Sequence, residues 1–66
     1  MKICDFTAPE LDMFRQLCNF TPDELDYFEL RARDCSNVYI AWKMNISEAK
    51  VSKLARKVKS KMLRVL

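Results

Sequence analysis

The 66-residue chain predicts an all-α fold, a four-helix domain containing a helix-turn-helix. Three observations carry that prediction. Val51, Leu54, Val58, Met62 and Val65 recur at steps of three and four, which puts them on one stripe of a long helix. A helix-start signal is written twice: Phe6-Thr7-Ala8-Pro9-Glu10-Leu11-Asp12-Met13-Phe14 is echoed at an offset of 14 by Phe20-Thr21-Pro22-Asp23-Glu24-Leu25-Asp26-Tyr27-Phe28. Between Asn37 and Arg56 the apolar residues take the spacing of two helices joined by a tight turn. Tyr39-Ile40-Ala41-Trp42 has strand-like composition, but the helical period runs straight through it.

The first helix is expected over residues 8–18. Thr7 is its N-cap, Glu10 closes a capping box, and Phe6 is placed to staple onto Leu11. Pro9 costs nothing in the first turn, because its missing N–H would have had no partner there. Leu11, Phe14 and Cys18 form a stripe with Met13 and Leu17 beside it, an arc wide enough to serve the core on one side and a partner on the other. The second helix, over 22–33, repeats the design with Thr21, Glu24 and Phe20; it is expected to bury Leu25 and Phe28, with Tyr27 and Leu30 near the edge. Asp34-Cys35-Ser36 ends it. The chain has no glycine, so its helix ends must use Asp, Asn or Cys instead.

Ser36 caps a third helix over 37–44, in which Ala41 is the small residue needed where two helices cross closely. Asn45 stands at the turn, where positive φ is wanted, and Ile46 plugs it. Ser47 then caps the fourth helix, over 48–64. The whole of 1–66 reads as one domain near the lower size limit for folding without staples.

Composition narrows the function. Half the residues are hydrophobic, enough for a core, and no run approaches the ~20 apolar residues of a membrane span. Met1-Lys2-Ile3-Cys4-Asp5 lacks the apolar run of a signal peptide, so the expectation is a cytoplasmic protein. Cys4, Cys18 and Cys35 are odd in number, with neither disulfide nor zinc spacing and no histidine to complete a site, so free thiols and no metal or cofactor are expected. Without histidine, a glycine-rich phosphate loop or a cysteine beside a base, an enzyme is the weakest reading.

Charge is segregated. Residues 1–34 carry eight acids against four bases, net −4, and residues 35–66 carry eight bases against Glu48 alone, net +7. A basic half on the second helix of a helix-turn-helix is the footprint of a polyanion binder, and the acidic half is expected to face away from it. That second helix enters the DNA major groove. Ser47, Glu48, Ala49, Ser52, Lys53 and Arg56 then fall on the face that reads base edges. Lys53 and Arg56 suit guanine, Glu48 a cytosine amino group, and Ala49 a thymine methyl. Lys43, Lys50, Lys57, Lys61 and Arg64 fall where phosphates pass. One reading helix covers few base pairs, so a homodimer would ease the affinity problem.

Val38 and Trp42, four apart, lie on the outer face of the third helix, where a minimal helix-turn-helix would meet water. The simplest expectation is that the first helix folds back over them. The alternatives are a dimer or polymerase contact through the same patch and, last, an aromatic stacked on DNA; Met13 and Leu17 on the first helix are further candidate interface residues.

Phe20-Thr21-Pro22-Asp23-Glu24-Leu25-Asp26-Tyr27-Phe28-Glu29-Leu30-Arg31-Ala32-Arg33, then Ser36-Asn37, Ile40-Ala41, Met44-Asn45-Ile46-Ser47, Val51 and Leu54 resemble region 4 of bacterial sigma factors. They are similar to the helix-turn-helix domain of LuxR-type regulators almost as closely. The match spans about Leu11 to Leu63, and its motif is shared by many regulators; a helix before Thr21 and none after the basic one favour the sigma version. The resemblance implies a four-helix domain that recognises a promoter element in double-stranded DNA through the helix starting at Ser47. It also implies contact with RNA polymerase. Three departures stand out: Asn45 and Asp34-Cys35 occupy common glycine positions, Val38 and Trp42 replace residues that are usually polar, and no segment for promoter melting is present. The resemblance therefore implies a stand-alone regulator, accessory or phage-type, and not a complete initiation factor. A protein–protein adaptor of the same fold is the alternative.

Overall fold

The computed structural model describes residues 2–66 and is all-helical, with no strand among them. A short 3₁₀ turn, Ile3–Asp5, precedes α1 (Ala8–Leu17), α2 (Pro22–Ala32), α3 (Asn37–Met44) and α4 (Glu48–Val65). Each α-helix starts within a residue of its expected position, and each begins on a hydroxyl cap. Thr7 and Thr21 both close full capping boxes, with Glu10 and Glu24 reaching back to the Thr N–H at 2.8 and 3.1 Å. Ser36 and Ser47 accept from the N–H of Tyr39 and Lys50, each at 3.1 Å. Among the described residues no helix is long and apolar enough to cross a membrane.

α4 is the spine. At ~1.5 Å per residue its 18 residues span about 27 Å, and α1, α2 and α3 all pack on it. Val51, Val58 and Met62 are fully buried and Leu54 nearly so, as the stripe predicted. Above them lies a chain of four rings. Phe6 packs on Phe14 and Phe20 on Phe28, each at 5.0 Å between centroids, and Phe14 meets Phe28 edge-on at 6.4 Å. The repeated signal thus builds a repeated contact, and the two copies join in the middle.

One expectation is corrected, and two packing features are added to those expected. The Phe before each cap also pairs with a ring two turns on, Phe14 or Phe28; Leu11 is half-buried against the core and Leu25 is 37% exposed. The edge-to-face contact of Phe6 with Phe14 adds about 0.5–1.5 kcal/mol beyond area burial. The inward face of α2 is also rotated from the expected one: Glu24, Tyr27 and Phe28 are buried, at the i, i+3, i+4 spacing of one stripe. Glu24 can occupy that stripe because a cation meets it there, as described below. Ile3, unassigned in the sequence, is 2% exposed, and its turn packs on α2.

The missing glycines are replaced by Asn19, Asp34 and Asn45, at φ of 52°, 63° and 56°. After α2 and α3 the result is a Schellman closure. Cys35 N–H donates to Leu30 O at 3.2 Å and Ile46 N–H to Ala41 O at 3.0 Å, so the last carbonyls find partners. A Cβ in the left-handed region is strained, and Asp34 is exposed with only a 3.5 Å thiol contact from Cys4. Asp34→Gly is expected to stabilise the domain by about 0.5–1 kcal/mol, read as a higher denaturation midpoint with unchanged slope.

Candidate nucleic-acid interface

The α3–turn–α4 unit is held from inside by Ile40, Ala41, Val51 and Leu54, all under 9% exposed. Asn45 in the left-handed region turns the chain, half-buried Ile46 packs against the core, and Ser47 starts α4. This is the spacing and turn conformation that the sequence predicted. With Val51, Leu54, Val58 and Met62 inward, the opposite side of α4 carries Ala49, Ser52, Lys53 and Arg56, all exposed; Glu48 is exposed at the helix start. The Ser47 oxygen is occupied as a cap, which leaves its O–H as the group free to meet a base.

The flank toward α2 holds a row of cations. Lys50, Lys57 and Arg64 are seven apart, so they stand about 10.5 Å from one another along one edge of the helix. All three are exposed, as is Lys43 on α3. Arg56, Lys57, Ser60, Lys61 and Arg64 line a shallow groove closed on its other side by Glu24 of α2.

Lys61 departs from expectation. Its ammonium donates to Glu24 Oε1 at 2.5 Å and to the Asn19 carbonyl at 3.2 Å, so it is already paired and is not a free phosphate ligand. Glu24 accepts both from Lys61 and from the Thr21 N–H, with its side chain 5% exposed. Burial works against its charge, but the hydrogen bonds from Lys61 and Thr21 and the fields of Lys61 and Lys57 prevail and hold its pKa below the ordinary 4.5. The same contact joins the end of α1, the start of α2 and the last third of α4. Glu24 is legible in the sequence only as a capping-box acid. The missed signal is that Lys61 follows Leu54 by seven residues, at the margin of the buried stripe and not on the solvent face.

The acidic half does not face wholly away, a second correction. Glu24 enters the cationic groove, and Asp23, Asp26 and Glu29 share a second groove with Arg33 and Lys43. Helix starts are acidic for their own dipoles, and the start of α2 lies beside α4. Part of that charge is spent internally, since Arg15 bridges Asp12 and Glu29.

The outer face of α3 brings a third correction. Val38 is 63% and Trp42 75% exposed, so α1 does not cover them. α1 packs instead near the C-terminal end of α4, where Leu17 and Cys18 lie beside Lys61, Arg64 and Val65. Of the other two expected interface residues, Met13 is half-buried against the core and Leu17 is 61% exposed at the end of α1. Trp42 has Tyr39 as its ring neighbour, at 5.9 Å. Burial raises the pKa of the Cys18 thiol, with Lys61 opposing, and all three cysteines are free. No protein-family model, curated protein or solved structure matches the chain.

Proposed function

We propose that the domain is a small transcriptional regulator, similar to sigma region 4, that binds duplex DNA in a sequence-specific way through α4. The observation that carries this reading is the outer surface of that helix. Ala49, Ser52, Lys53 and Arg56 form an exposed, small-and-cationic face, with Lys50, Lys57 and Arg64 in a row along its edge. Small residues let a helix approach base edges closely, and flanking cations fix it on the phosphates. A solvated lysine face on an ordinary bundle would need neither the turn conformation at Asn45 nor the small residues between the lysines.

Selection from a random duplex library at fixed salt tests the reading, with enrichment of one motif expected. Lys53→Ala is expected to relax preference at one or two positions of that motif, at about 1–3 kcal/mol of lost discrimination. Lys57→Ala should weaken all sequences alike and reduce the salt slope by about 0.9. Equal, sequence-blind losses from both variants would remove α4 as the reading helix.

The exposed Val38–Tyr39–Trp42 surface favours a second reading, an adaptor that holds RNA polymerase or another regulator. Trp42→Ala is expected to abolish capture of purified polymerase in that case, and unchanged capture would exclude this surface. Sedimentation with and without a selected duplex distinguishes one bound copy from a homodimer.

A further inference from the structure

We propose that Glu24 is an internal counter-charge that limits the grip of α4 on DNA: its carboxylate occupies the cationic groove as a phosphate would, and withholds Lys61 from the backbone. The proposal rests on the duplex-binding reading above. Four cations, Arg56, Lys57, Lys61 and Arg64, converge on one groove, and the only acid among its lining residues is Glu24. That acid belongs to a different helix, is buried, and accepts a charge-assisted hydrogen bond from the cation set deepest in the groove. Capping α2 does not require the charge, because glutamine closes a capping box as well as glutamate. The dipole of α2 also favours a charge here, but the partner that this charge takes is a member of the row that would otherwise face phosphate.

Glu24→Gln keeps the cap and the side-chain volume while releasing Lys61. The experiment measures duplex affinity across a salt series, using a motif selected by the wild-type chain. The Glu24→Gln variant is expected to bind with a slope steeper by about 0.9 and, at 0.15 M salt, on the order of five-fold more tightly, the counterion-release factor for one added phosphate contact. The Glu24→Gln/Lys61→Met double variant, which removes both charges together, is expected to return to the wild-type slope. Circular dichroism establishes that each variant is folded; where Glu24→Gln is not, the pair is rebuilt on the stabilised Asp34→Gly background. A wild-type slope in folded Glu24→Gln overturns the counter-charge while leaving DNA binding intact. A steep slope that persists in the double variant also overturns it, because the added contact would not be Lys61. Failure of the wild-type chain to bind any duplex with salt-dependent affinity overturns the DNA reading itself, and this inference with it.

Discussion

Phe28→Ala is expected to cost about 3–5 kcal/mol, a large share of the stability of a domain of this size. Phe28 is fully buried, and its ring is the junction of the aromatic chain, 6.4 Å from Phe14 and 5.0 Å from Phe20. Removing it opens a cavity and strands two rings at once, and the guanidinium of Arg15, 5.7 Å above it, loses its aromatic face as well. A domain of 66 residues has roughly 3–10 kcal/mol in total at ~0.05–0.15 kcal/mol per residue, so the loss is a large share of the whole. Leu25→Ala is the internal control. Leu25 is 37% exposed, so its truncation should cost only about 1–2 kcal/mol. Urea denaturation of the two variants reads the difference directly. Equal costs would mean that α2 presents a different face from the one described.

Lys61→Ala is expected to destabilise the domain by about 1–3 kcal/mol near neutral pH, because it removes the hydrogen-bonded cation from a Glu24 side chain that is only 5% exposed. Its pH dependence distinguishes this from simple loss of packing. In the wild-type chain the pKa of Glu24 lies below the ordinary 4.5, so the ion pair contributes stability that is present above 4.5 and is lost as pH falls through the depressed value. In the variant the burial penalty is opposed only by the Thr21 N–H and the field of Lys57, so Glu24 titrates higher than in the wild-type chain and less stability is lost on acidification. The cost of Lys61→Ala should therefore shrink as the pH is lowered below 4.5, while the cost of Phe28→Ala should not. Parallel urea titrations at neutral and acid pH measure both, and a Lys61→Ala cost that ignores pH would mean that the carboxylate is not what the lysine satisfies.

Much of this architecture is legible in one sequence because its signals are local. Thr7, Thr21, Ser36 and Ser47 each mark a helix start through contacts within three residues. Asn45 marks the turn through its own backbone, and the stripe of α4 through its period. What was not legible depends on residues far apart in the chain. The roll of α2 is decided by Glu24 meeting Lys61, 37 positions away, and a capping-box glutamate gives no hint that its carboxylate also faces inward. The exposure of Trp42 depends on where α1 packs, and a wide apolar arc on α1 is compatible with either end of α4. Ile3 lies in too short a segment for any period to show, and its burial comes from contact with α2. The cationic face was readable residue by residue, but the neutralisation of one member by an acid from another helix was not.

Trp42, the sole tryptophan, stands 75% exposed on α3, while the buried aromatics of the core are phenylalanines and one tyrosine. Its indole is already in water in the native state, so unfolding gives its emission little new solvent to register. Any macromolecule seated on α3 would displace that water and shift the emission to shorter wavelength. A duplex bound through α4 alone would leave the indole solvated. The chain thus carries an intrinsic optical probe that responds poorly to loss of structure and reports directly on occupancy of one surface.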